Sequence, residues 1–206
     1  MFAFSKTIKV SFAILALGAF SVLSAQDSVE GIDPRTNTAE LAKQLGSRDP
    51  LLRQKSAEAL ARLAATDQRK MVEGYQLQET NKEVKLALDW ALYRMGRSEA
   101  LFRIVHELDS GRYEQAIGYL SELESPDLLY PYFKKEKNPP RVTSGLLKAL
   151  GRIGNAETLE VIKPYLESLQ PYVAGAAETA SDEIAKRLGQ ETVAPTRGRP
   201  RTVDKP

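Results

Sequence analysis

Five short phrases decide the fold. They are Ala59-Leu60-Ala61-Arg62-Leu63-Ala64, Ala91-Leu92-Tyr93-Arg94-Met95-Gly96, Tyr119-Leu120-Ser121-Glu122-Leu123-Glu124, Ala149-Leu150-Gly151-Arg152-Ile153-Gly154 and Ile184-Ala185-Lys186-Arg187-Leu188-Gly189. Their last apolar position steps through residues 63, 95, 123, 153 and 188, at spacings of 32, 28, 30 and 35 residues. A period of roughly 20–50 residues marks stacked units, each burying its apolar face only against its neighbours. The expected fold is therefore all-α, an α-solenoid of about five two-helix units. Such an architecture points to a binding scaffold and leaves its partner open.

Outward from these phrases, the helical stripe extends toward the N-terminus of each second helix. Ala57, Leu60, Leu63 and Ala64 fall on one face at 3.6 residues per turn, as do Val84, Leu88, Ala91, Leu92 and Met95. Val142, Leu146, Ala149, Leu150 and Ile153 repeat the pattern, and the recurrent alanines allow stacked helices to approach closely. Leu60, Leu92 and Leu150 are expected in the core between units. Asp49-Pro50 predicts a helix start, with Asp49 as N-cap and Pro50 at the first position. Before it, Leu41 and Leu45 share a face, and Gly46 is a stop.

First helices open after Ser125-Pro126-Asp127 and after Gly154-Asn155, with Gly154 expected in the left-handed position that ends the preceding helix. Pro131-Tyr132-Phe133 and Pro164-Tyr165-Leu166, 33 residues apart, are expected to play one structural role in two units.

These features resemble the HEAT repeat family, in particular its short form named after the phycobilisome lyases. The resemblance rests on Asp49-Pro50 with Arg53, Ala57 and Ala59-Leu60 through Leu63, and on Pro140-Arg141-Val142 with Leu150-Gly151-Arg152-Ile153-Gly154. It covers about residues 38–189. The third unit departs from the pattern with Glu122 where the others carry a basic residue, and the fifth is shifted between Val173 and Ile184. The resemblance implies a fold of helical pairs and says little about function.

The rest of the chain reads differently. Residues 1–25 are expected to be an export signal, with Lys6 and Lys9 before an apolar stretch, Val10 to Leu23, too short for a membrane span. Cleavage is expected after Ala25 or Ser24; an uncleaved N-terminal anchor is the competing reading. Residues 26–37 read as a linker and 190–206 as a disordered basic tail, poor in apolar bulk. The chain has 29 basic and 27 acidic residues; without Lys6 and Lys9 the two signs balance, so net charge does not argue for nucleic acid or membrane. No cysteine is present, which excludes thiolate ligands, a cysteine nucleophile and lipidation at cysteine. A periplasmic or secreted protein is expected, with no transmembrane anchor in the mature chain.

Candidate chemistry is sparse. The single histidine, His106, is followed by Glu107. HEAT-type hydroxylases hold two irons with several His-Glu pairs on successive units, and one pair does not supply the three or more ligands a metal needs. No Gly-x-Ser-x-Gly elbow is present, and Gly151-Arg152-Ile153-Gly154 lacks the spacing and lysine of a phosphate loop. No catalytic, cofactor-binding or metal-ligating residue is expected, and the chain reads as a non-enzyme; a lyase activity would rest on family analogy alone.

One position per unit lies between the two core residues, and reads Arg62, Arg94, Glu122, Arg152, Arg187. Stacked units would align these as a row. On a concave face, guanidinium forks would suit carboxylates or phosphates of a partner. The competing reading is solvated arginines, or pairing with acids one turn away such as Glu58 and Glu183. Trp90 is either an interface anchor amid arginines or ordinary packing. The leading functional reading is a scaffold holding another protein. The alternative is nucleic-acid binding through the arginine row and the AT-hook-like Arg197-Gly198-Arg199-Pro200 of the tail.

Overall fold

The computed structural model describes residues 34–133 and 138–192. The described residues are all-α, with no strand among them. The helices are α1 (Pro34–Gln44), α2 (Pro50–Arg62), α3 (Arg69–Gln78), α4 (Lys82–Arg94), α5 (Ala100–His106), α6 (Tyr113–Leu120), α7 (Tyr130–Phe133), α8 (Pro140–Ile153), α9 (Ala156–Leu166) and α10 (Pro171–Thr192). Short 3₁₀ turns at Thr66–Gln68, Glu107–Asp109 and Pro126–Leu128 complete them. The export signal, most of the linker, the AT-hook-like residues and nearly all of the basic tail lie outside the described residues. No helix among the described residues is long and apolar enough to cross a membrane.

Alternate helices form a row. α2 packs on α4, α4 touches α6, α6 packs on α8, and α8 on α10, while α1, α3, α5 and α9 pack on α2, α4, α6 and α10. The burial pattern follows. α4 is covered by both row neighbours and by α3 and α5, so Val84 and Leu86 through Leu92 are all buried. α2, at one end of the row, buries only Ser56, Ala57, Leu60 and Ala61. Leu60, Leu92 and Leu150 are 0 %, 4 % and 0 % exposed, as their stripes predict.

Local sequence sets the helix starts. Asp49 caps α2, its carboxylate accepting from the Leu51 N–H at 3.0 Å, with Pro50 at the first position. Asn155 and Thr158 cap α9 reciprocally, each side chain accepting from the other's backbone N–H at 3.1 and 3.0 Å. α1 begins at Pro34, inside the expected linker, because proline is tolerated in a first helical turn where its missing donor is not needed. α10 runs to Thr192, three residues past the expected end of the repeat region.

Two expectations are corrected at helix ends. Leu63 is 49 % exposed, because α2 stops at Arg62 and Leu63 is its C-cap rather than part of the stripe. The chain then turns through Ala64 at φ 45°, and the Ala65 N–H returns to the Leu60 carbonyl at 3.1 Å. The same closure ends α4, where Gly96 takes φ 92° and the Arg97 N–H reaches the Leu92 carbonyl at 2.9 Å. An alanine in this left-handed conformation is strained by its Cβ. Ala64→Gly is therefore expected to raise stability by about 0.5–1 kcal/mol, read as a higher urea midpoint.

Gly154 is not left-handed; it sits at φ −67° and ψ 159°. It is constrained by space instead, since a Cβ there would lie 2.6 Å from the Leu150 carbonyl oxygen and 2.6 Å from Ile184 Cδ1. Gly151 has a related role, as a Cβ on it would come within 3.0 Å of Ala180 Cα. Gly151 lets α8 and α10 approach backbone to backbone, and Gly154 makes room for the Ile184 side chain.

The two proline phrases meet. Tyr165 lies edge-on to Phe133 with ring centroids 5.3 Å apart, and the Tyr130 and Thr158 hydroxyls are 2.8 Å apart. α7 and α9 thus stack on each other one period apart in sequence.

Candidate functional site

The last carbonyls of an α-helix have no partner within it, and a cation placed there is favoured by the helix dipole. Three of the four arginines in the repeated phrases, Arg94, Arg152 and Arg187, reach the C-terminal end of a neighbouring helix of the row. Arg187 shows this most fully. Its Nη1 donates to the Arg152 carbonyl at 2.7 Å, and its Nη2 to the carbonyls of Gly151 at 3.0 Å and Gly154 at 2.7 Å. The fork expected to grip a partner is thus occupied with the end of α8.

Arg152 in turn donates to Ser121 Oγ at 3.4 Å, and that hydroxyl donates to the Ile117 carbonyl of α6 at 2.7 Å. Arg94 lies 5.6 Å from the Trp90 ring centroid, donates to the Glu122 carbonyl at 3.5 Å, and stands 3.9 Å from the Glu124 carboxylate. From Arg94 to Arg187 the candidate residues are therefore contiguous. They span 28 to 36 residues of sequence at each step.

Arg62 is different. It is exposed and, with Glu58, Trp90, Gln115, Gly118, Tyr119 and Glu122, lines a cavity of about 230 Å³ between α2, α4 and α6. Glu58, one turn away, is engaged elsewhere, accepting from Gln54 at 3.0 Å and from the Tyr119 hydroxyl at 2.7 Å. Gln115 donates to the Tyr119 hydroxyl at 2.9 Å and to the Glu83 carbonyl at 3.0 Å. Burial pushes the Tyr119 phenol far up from its ordinary value, and its bond to Glu58 adds to this, so it stays a donor. The Tyr119–Glu58 bond joins α6 to α2 across α4.

Trp90 supplies the floor under that bridge. It is 2 % exposed, stacked on Tyr119 at 5.5 Å with ring planes 2° apart and on Tyr93 at 5.6 Å. Of the two readings of Trp90, its burial and its stacking on two tyrosines fit packing. The exposed His106 ends α5 beside Phe102, with ring centroids 6.5 Å apart.

These contacts separate the row by role. Arg187→Leu strips three carbonyls of their donor and is expected to cost about 1–2 kcal/mol. Arg62→Gln is expected to change stability by less than about 0.5 kcal/mol. Urea unfolding of the two variants checks the contrast.

A second, larger cavity of about 550 Å³ was not anticipated. It lies where α6, α8 and α10 begin, lined by Asp109, Tyr113, Pro139, Pro140, Arg141, Ser144, Lys148 and Tyr172. Arg141, Ser144 and Lys148 continue the stripe of Arg152 backward along α8, at intervals of three and four residues. That part was readable from helical periodicity. Tyr113 and Tyr172 reach the cavity from other helices, which periodicity does not show. No protein-family model matches the chain, and a search of curated proteins finds no match to it.

Proposed function

We propose that the chain is an exported, non-enzymatic scaffold, an α-solenoid of about five HEAT-like helical pairs holding another protein on the face formed by its second helices. The observation that carries the architecture is the length of its polar contacts. Arg94 to Glu122, Arg152 to Ser121, Gln115 to Glu83, Tyr113 to Ser144, Tyr165 to Phe133 and Arg187 to Gly151 join residues 28 to 36 apart, one repeat in every case. A repeat bonded chiefly to the next repeat is what a solenoid requires. The protein-binding reading is supported by the two cavities that open along the row. A pre-formed surface lowers the ordering cost of association. The reading assigns the protein no chemistry of its own.

The test starts from the exported protein, expected in periplasm or medium without its first 24 or 25 residues. Used as bait on an envelope fraction, it is expected to retain a specific protein that Arg62→Glu no longer retains, while the melting curve is unchanged. Deleting residues 190–206 is expected to leave capture intact. Full-length protein confined to the cytosol, or capture insensitive to Arg62, would overturn the reading. Loss of DNA binding on tail deletion would instead favour a nucleic-acid partner, with the steep salt dependence of counterion release.

A further inference from the structure

The cavity at the starts of α6, α8 and α10 combines two kinds of recognition group. Arg141 Cζ and Lys148 Nζ lie 4.9 and 5.1 Å from the Tyr113 ring centroid, so two cations share one aromatic ring. None of the ion pairs among the described residues involves either cation. Around them stand Pro139, Pro140 and Tyr172, the last 85 % exposed, which is unusual for an aromatic side chain of its size. Tyr113 is held from below by its hydroxyl, which donates to the buried Ser144 Oγ at 3.4 Å. At about 550 Å³ the cavity is large enough to take several side chains of a partner.

We propose that this cavity docks an extended acidic segment of a protein partner, with a carboxylate against Arg141 and Lys148 and a proline or aromatic side chain laid on Tyr113 and Tyr172. The proposal rests on the scaffold reading and names the chemistry of its partner. Charge complementarity selects the carboxylate: two cations face the cavity and Asp109 alone opposes them. Tyrosine and proline surfaces suit a proline-containing extended segment, whose polyproline II shape is largely preformed and costs little entropy to bind. Asp109 then finds a donor in the segment's backbone N–H groups. A nucleic-acid strand fits less well. Its phosphates need a continuous cationic path, whereas Arg187 is bonded to carbonyls, and Glu58 and Glu122 line the next cavity along the row.

The test uses the full mature chain and two fluorescein-labelled peptides, GPDEPFDG and GPKKPFKG, matched except in charge. Fluorescence anisotropy is expected to show the acidic peptide binding at least about tenfold more tightly, and binding weakening as salt is raised. The double variant Arg141→Glu with Lys148→Glu is expected to reverse that order. Tyr172→Ala, at an exposed position where folding is not at stake, is expected to weaken the acidic peptide at least about threefold. Equal binding of the two peptides, no binding at about 1 mM, or an unreversed preference in the double variant would overturn the proposal. If the peptides fail while Arg62-dependent capture from the envelope holds, the scaffold reading stands without this site. If the charge preference reverses but no envelope protein is captured, the site stands and the scaffold reading falls.

Discussion

Leu150→Ala is expected to lower the free energy of unfolding by roughly 2–5 kcal/mol, near the upper end of that range. Leu150 is 0 % exposed, as are Leu146, Leu147 and Ala149 beside it and Ile184 on the facing helix. The cost of such a truncation depends on whether neighbours can move in to fill the hole. Here they have little room to do so. α8 and α10 are already in near contact at Gly151 and Ala180, and at Gly154 and Ile184. α10 therefore cannot slide closer to α8 without a backbone clash, and the cavity persists. Urea unfolding reads the effect as a lower midpoint with an unchanged slope. Leu63→Ala provides the contrast: half exposed beyond the end of α2, it is expected to cost less than about 1 kcal/mol. Similar losses for the two leucines would contradict the helix ends described above.

Arg53→Ala is expected to cost about 2–3 kcal/mol at neutral pH, although it alters a single side chain outside the apolar core. The guanidinium holds four segments together. Its Nε and Nη2 donate to both oxygens of Glu79, at 2.7 and 2.9 Å, and its Nη1 donates to the Ser47 carbonyl at 2.8 Å in the α1–α2 turn. Glu79 ends α3 and accepts from the Thr80 and Asn81 N–H groups at 3.0 and 2.9 Å, fixing the entry to α4. The side chains of Arg53 and Glu79 are only 16 % and 8 % exposed, so removing the arginine strands a carboxylate with little access to water.

The same pair gives a pH dependence of known sign. Hydrogen bonding from Arg53 holds the Glu79 carboxyl below its usual range, with burial opposing and the Asn81 N–H assisting. A depressed folded pKa means that the unfolded chain binds the proton more readily, so stability rises with pH. The contribution is complete above the unfolded value of about 4.3 and is lost as pH falls through the lower folded one. The difference between wild type and Arg53→Ala is therefore expected to shrink between about pH 7 and pH 2. In Glu79→Gln the arginine substitution is expected to cost less than in wild type, because no charge is then stranded. A difference independent of pH would exclude the ion pair as its source.

The local signals were legible in the chain itself. Asp49-Pro50 and Asn155 with Thr158 specify helix starts through bonds spanning two or three residues. The stripes that bury Leu60, Leu92 and Leu150 repeat within two turns. Both kinds of signal act over a few residues, so sequence neighbours determine them. The period of 28 to 35 residues likewise belongs to the sequence, since it is the distance between similar phrases.

What each repeated position does was decided only by the tertiary structure. Arg62 and Arg187 occupy the same place in their phrases, yet one opens on a cavity and the other satisfies two carbonyls of α8 and that of its C-cap Gly154. Gly96 and Gly154 also share a place, and the first is required by its φ while the second is required by the approach of Ile184. Trp90 reads as either an anchor or packing until it is seen buried and stacked on Tyr93 and Tyr119. Apart from the local turn at Gly96 and the Trp90–Tyr93 stack, these outcomes depend on partners about one repeat away in sequence, or two in the bond from Tyr119 to Glu58. Short-range periodicity determines which residues face inward along a helix. The angle and spacing at which one helix meets the next determine what those residues touch, because hydrogen bonds and close packing are sensitive to a fraction of an ångström.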